Sequence, residues 1–228
     1  MMTVLPAFLL ASHLVQASAV ACPANHTDVR ISENITPPRT DTSKTADQLK
    51  AMRFSDAVST DPKFTETAGV TDASIVLDSE VRTASSGPES GPFCVWPSVI
   101  TVTLSTAPII YVDASHGPCR QAAALAHEMG HVDIDRRMIE RFVPIFRSRV
   151  MGMAEAIGSA AATDRDQLQT VRSHIEDKVN AMLSITLDAL NVERLKAQHA
   201  HDSPEEYERL STACPAATVG VPAAHGRS

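Results

Sequence analysis

Leu125-Ala126-His127-Glu128-Met129-Gly130-His131-Val132 lies inside an Ala-rich, helix-competent stretch, residues 122–142, with Pro144 just beyond it. Reading this stretch as a helix decides the rest. Residues four apart stack on one helix face, so the imidazoles of His127 and His131 can reach a single metal ion. H-E-x-x-H on a helix is the pattern of two zinc ligands with a Glu placed as general base. Glu128 follows the first His and can approach a water without being a ligand itself. Gly130 stands in mid-helix, where it costs about 1 kcal/mol relative to Ala. Either a close backbone approach or tight helix packing would account for it. Pro144 is expected to break or kink the helix. The bland alternative is two ordinary histidines, partly buried and bonded to their neighbours.

A catalytic zinc site needs a third protein ligand and leaves one position for water. The residues after His131, Val132-Asp133-Ile134-Asp135-Arg136-Arg137, offer no further His. Asp135 stands roughly 12 Å along the helix from His127 at 1.5 Å per residue, too far for direct ligation. The better region is His199-Ala200-His201-Asp202, with Glu205 and Glu206 just beyond, a cluster of ligand-type side chains at a helix-to-helix junction. The same residues would also make a solvated polar corner capping the next helix. His174 and Glu176 are weaker candidates, at exposed or half-buried positions of a long helix.

Around the motif the chain divides clearly. Residues 22–40 read as an extended arm in which Val29 and Ile31 alternate with polar neighbours, and Pro37-Pro38 excludes a helix. Asp41 or Thr42 can cap a short helix reaching about Arg53. A strand-like run covers 74–81, and Gly87-Pro88-Glu89-Ser90-Gly91-Pro92 is a turn. Residues 98–105 alternate, with Ile100, Val102 and Leu104 on one face, and 109–112 form a second short strand after Pro108. Thr163 and Asp166 have the form of a capping box. Leu168, Val171, Ile175, Val179, Met182, Thr186 and Leu190 then recur at helical steps, predicting one amphipathic helix to about Ala200. Ser203-Pro204-Glu205-Glu206 starts another helix with a cap, a first-position Pro and acids at the positive end of the dipole. The expected fold is α+β, a small antiparallel sheet packed on the H-E-x-x-H helix and braced by the long C-terminal helix. Strand 98–105 or 109–112 would offer an edge to which a peptide could add.

With 228 residues and 43% hydrophobic content, the chain can bury one real core, though only 4% of its residues are aromatic. A net charge of −7 argues against nucleic acid as the main partner. Residues 1–21 carry no Asp, Glu, Lys or Arg, and their apolar run, 4–15, is too short to span a bilayer. Ala17-Ser18-Ala19 and Ala19-Val20-Ala21 both suit cleavage, so 1–21 read as a secretory signal. A single domain, 22–213, and a patternless tail, 214–228, follow. The expected location is periplasmic or secreted, with no transmembrane segment.

Export gives Cys22, Cys94, Cys119 and Cys214 a meaning, because oxidising compartments favour pairing. Four cysteines allow three connectivities. The expected one is Cys94–Cys119, leaving Cys22–Cys214 to tie the ends; a lipid anchor at Cys22 after Ala19-Val20-Ala21 competes with it. No Cys-x-x-Cys pair is present, so the cysteines do not read as a zinc site.

Phe93-Cys94-Val95-Trp96-Pro97 with its following strand, Pro108-Ile109-Ile110-Tyr111-Val112, Cys119 and Leu125 through Val132 form a central pattern, closed by Asp202-Ser203-Pro204-Glu205-Glu206-Tyr207 and Cys214. From about Val29 to Cys214 the chain resembles a group of exported, otherwise uncharacterised bacterial proteins described as zinc-dependent peptidases. The resemblance implies a zincin-like site in which His127 and His131 hold Zn2+ and Glu128 is the base. Related exported families place an Asp near the end of the domain, which points to Asp202 as third ligand, with His201 or Glu205 as alternatives. The implied activity is hydrolysis of peptide bonds in a peptide or protein substrate. The competing expectation is a non-catalytic exported binding protein whose metal site is structural or vestigial.

Overall fold

The computed structural model describes residues 21–52 and 68–214. The expected signal and nearly all of the expected tail lie outside the described residues. Prolines at two places decide how the strands divide. Strand β1 (Asp28–Ile35) stops before Pro37-Pro38 and resumes as β2 (Arg39–Asp41). Strand β5 (Phe93–Thr106) likewise stops before Pro108 and resumes as β6 (Ile109–Val112). The two segments run side by side, β1 parallel to β5 and β2 parallel to β6. Proline has no N–H for a ladder. Pairing across the break is kept by Thr36 donating to the Thr106 carbonyl at 3.0 Å and Arg39 to that of Pro108 at 3.1 Å.

The result is two mixed sheets in place of the single antiparallel sheet expected. In the first, β5 lies between β1 and the antiparallel strand β4 (Val76–Ser86), and its start also pairs with β7 (Ala160–Ala162). In the second, β6 lies between β2 and the antiparallel strand β3 (Gly69–Asp72). The parallel partners come from an arm about 70 residues earlier, a pairing that local periodicity does not encode. Both strands expected to offer a peptide-binding edge, within β5 and at β6, are interior, which removes that idea.

Among the described residues four helices complete the α+β fold: α1 (Ala46–Met52), α2 (Pro118–Ile157), α3 (Arg165–His201) and α4 (Pro204–Thr212). Thr45 caps α1, rather than Asp41 or Thr42, and exchanges bonds with Gln48. Asp164 caps α3 by accepting from the Gln167 N–H at 2.8 Å, while the Thr163 N–H turns to the Gln167 side chain. Ser203 caps α4 as expected, accepting from Glu206 N–H at 3.2 Å.

Pro144 does not end α2, which continues to Ile157. Pro144 and Glu140, whose carbonyl loses its donor, both lie on the exposed side, where water can replace the bond. On the inner side Phe142, Phe146, Val150 and Ala154 are buried. Each large side chain buried there contributes about 1.5–3 kcal/mol, enough together to offset a proline cost of about 3 kcal/mol. These residues meet Ile100, Val102 and Leu104 of β5 and Val179, Leu183 and Leu190 of α3 in the main core. A smaller cluster, Ile110 and Val112 of β6 against Ala124 and Val132 of α2, fixes the H-E-x-x-H turn on the second sheet.

Disulfides join Cys22 to Cys94 and Cys119 to Cys214, which corrects the expected Cys94–Cys119 and Cys22–Cys214 pairs. Cys94 lies at the start of β5, a 14-residue strand that carries the chain roughly 45 Å at 3.3 Å per residue before α2 begins. That separation forbids a bridge to Cys119, because paired cysteines need Cα atoms within about 7 Å. Cys22 is bonded through its sulfur, which leaves no thiol for a lipid anchor. Among the described residues no helix is long and apolar enough to cross a membrane.

Candidate metal centre

The third, fourth and fifth turns of α2 bring His127, Glu128, His131 and Asp135 towards the interior. His127 and Glu128 are buried, and His131 is 14% exposed. The two imidazoles meet edge to face with centroids 5.0 Å apart. Their Nε2 atoms converge on one oxygen: Asp202 Oδ1 lies 3.1 Å from His127 Nε2 and 3.0 Å from His131 Nε2. Asp202 ends α3, and its own N–H bonds to the Gln198 carbonyl at 3.0 Å. The sharp α3–α4 junction therefore delivers its side chain to the H-E-x-x-H helix.

His201 stands beside this group. Its ring stacks on His127 at 4.5 Å, and its Nε2 lies 2.9 Å from the His127 carbonyl oxygen. This contact explains Gly130: a Cβ there would overlap the His201 ring, so the close approach is by an imidazole and not by backbone. Nitrogen atoms of His127, His131 and His201 all lie within 4.8 Å of one another, a group that could hold a metal ion.

The outward-facing ring nitrogens also have partners. His127 Nδ1 lies 3.3 Å from Glu206 Oε1 on α4, and His131 Nδ1 contacts Gln198 Oε1 on α3. Such outer partners, which fix ring orientation, are typical of metal-binding histidines. Glu128 is held separately, with Thr71 of β3 donating to its Oε2 at 2.8 Å. Gly69 gives it room, since a Cβ at that position would come 2.9 Å from Glu128 Cγ.

Charge in the group follows from burial and contacts. Burial pushes the Glu128 carboxyl above its ordinary value, although His131 and His127 oppose the shift. Burial also works against ionised Asp202, yet its hydrogen bonds to His127 and His131 hold it well below the usual carboxylate range. For His131, burial opposes protonation, but the Asp202 hydrogen bond and the Glu128 charge raise it to about 9. Glu206 is drawn down to about 2, first by its bond to Arg209 and further by His127.

The structure thus gathers His127, Glu128, His131, His201 and Asp202. It leaves Glu205 and His199 exposed at the α3–α4 junction, and His174 and Glu176 exposed far along α3. Sequence reasoning placed Glu206 only nearby and missed Thr71, Gly69 and Gln198. None of these three has ligand chemistry or regular spacing to the motif, so no local signal marked them. Compared with known protein families, curated proteins and solved structures, the chain has no significant match.

Proposed function

We propose that this protein is an exported zinc-dependent peptidase whose metal is held by His127, His131 and Asp202. The observation that carries the reading is the placement of Asp202 Oδ1 at 3.0–3.1 Å from both Nε2 atoms. Donors bound to one zinc at about 2.0–2.1 Å in tetrahedral geometry stand some 3.3 Å apart, so Asp202 Oδ1 already stands near the separation a shared ion requires from each Nε2 atom. Two neutral imidazoles and a carboxylate, each oriented from behind, are the donor set zinc takes. Zinc bound there would act as a Lewis acid, polarising a peptide carbonyl and acidifying a water.

Glu128 then works as the proton carrier. Its burial raises its affinity for a proton, which suits a carboxylate that takes one from water and returns it to the departing amine. The Thr71 hydroxyl fixes one carboxylate oxygen, and the absence of a side chain at Gly69 keeps space at the other. The two disulfides and the signal-like start support a location in an oxidising compartment.

A second reading is a structural metal centre. It is favoured by the closeness of His201, which could add a fourth protein ligand and close the site. The Glu128→Gln variant should retain stoichiometric zinc and lose hydrolysis of a mixed peptide library, while His127→Ala should lose the zinc. If Glu128→Gln cleaves as well as the parent, the peptidase reading fails. If neither protein cleaves and zinc is still bound, the structural centre stands.

A further inference from the structure

Asp135 has no part in the proposed chemistry, yet it is 1% exposed. Arg194 of α3 grips it with two bonds, Nε to Oδ1 at 2.6 Å and Nη2 to Oδ2 at 2.9 Å. Arg194 also donates to the Ala73 carbonyl at 3.0 Å, one residue beyond β3, the strand that holds Glu128. A buried ion pair gives little net stability, so stability alone is a weak reason for this one.

Gln198 connects the pair to the metal centre. Its Nε2 donates to Asp135 Oδ1 at 2.7 Å and to the His131 carbonyl at 3.2 Å. Both partners only accept hydrogen bonds. Turning the amide over would set oxygen against oxygen at both, so a single orientation survives. The amide oxygen must then face His131 Nδ1, as it does. An amide oxygen cannot donate, so this contact is a hydrogen bond only when Nδ1 carries the hydrogen. With the Nδ1 hydrogen so fixed, Nε2 is the nitrogen left to give up its proton to a metal on the side of Asp202.

We infer that Asp135 and Gln198 are positioning residues that hold the His131 ring in its metal-binding orientation and tautomer. The inference rests on the zinc reading above. An amide in the middle serves better than a carboxylate, because it transmits the orientation of Asp135 without a second negative charge beside it.

The test uses the full chain and zinc itself. Gln198→Met keeps the side-chain volume and the Asp135–Arg194 pair but removes both polar ends. Asp135→Asn keeps the shape but no longer dictates the amide orientation; it also leaves Arg194 without a buried counter-charge, so it is the variant more prone to fail to fold. Zinc affinity, measured by competition with a chromophoric chelator, should fall about tenfold to a hundredfold in each folded variant. In zinc-loaded wild type, 1H–15N NMR should show a protected His131 Nδ1–H that is lost in Gln198→Met. Unchanged affinity and an unchanged Nδ1–H signal in Gln198→Met would overturn the inference while leaving the zinc reading intact. A lower Tm with neither readout altered would make both residues merely structural and overturn it equally. Failure of the wild type to take up zinc would overturn the zinc reading, and this inference with it.

Discussion

The two ends of α2 face different worlds. Beyond Ile139 the helix presents Phe142, Phe146, Val150 and Ala154 to β5 and α3, where they join the main apolar cluster. Between His127 and Asp135 its inward side chains are mostly polar, and they meet Asp202, Gln198, Arg194, Thr71 and Glu206. One end is held by area and the other by specific bonds. A polar end of this kind tolerates little error, because each buried polar group left unpaired costs about 1–3 kcal/mol. The apolar end supplies the rigidity that lets the polar end keep its geometry, and α2 and α3 connect the two.

The comparison breaks most forcefully at Phe146, which is fully buried. Phe146→Ala should destabilise the protein by about 3–5 kcal/mol through lost burial and a residual cavity. The folded fraction should still bind zinc with parental affinity, because the cavity opens four to five turns away along α2. Denaturant unfolding and zinc titration check the two halves separately. A large affinity loss in still-folded protein would show that the two ends are coupled more tightly than their chemistry indicates.

Acidity sharpens the same contrast, since the main core carries few titrating groups. In the zinc-free protein His131 is raised from 6.5 to about 9 by Asp202 and Glu128 against the effect of burial. A folded-state value above the unfolded one stabilises fully below about pH 6.5 and is lost as pH rises towards 9. The contribution is at most about 3 kcal/mol, counted once for the His131–Asp202 pair. Zinc must displace the His131 proton, so its affinity should climb over the same interval. Thermal unfolding from pH 6 to 9.5 should therefore show Tm falling without zinc and nearly level with saturating zinc, because the gain in affinity offsets the lost proton contribution. A flat zinc-free profile would mean that the Asp202 contact does not form in solution.

The two ends also differed in how far they could be read from sequence. The alternation of Ile100, Val102 and Leu104 and the helical steps from Leu168 to Leu190 located the apolar elements, because burial imposes a period on them. His127 and His131 were legible for a similar reason, since one helix supplies both. Apart from the meeting of Asp202 and His201 with the two histidines, what joins distant segments escaped. The parallel pairing of β1 with β5, the disulfide partners and the contacts of Gln198, Arg194 and Thr71 with α2 cross 57 to 95 residues. Pro144 misled for a different reason: its local penalty is real, but the inner face of α2 outweighs it.

The smallest expected change in stability addresses the sharpest question, which residue completes the metal centre. Gly130→Ala gains about 1 kcal/mol in helix propensity. Its new methyl group meets the His201 ring, the mobile end of a side chain, so the ring should swing aside. That would cost the bond to the His127 carbonyl, worth about 0.5–1.5 kcal/mol, and leave overall stability nearly unchanged. Asp202 reaches the two Nε2 atoms, and the three atoms nearest a Cβ at Gly130 all belong to His201. If Asp202 is the third ligand, zinc affinity in Gly130→Ala should stay within a few-fold of the parent. If His201 is the ligand, affinity should collapse as it does in His127→Ala, although the fold is intact. Paired zinc titration and thermal unfolding of this one variant separate the two donors, because a lost ligand and a displaced neighbour have the same effect on Tm and opposite effects on zinc.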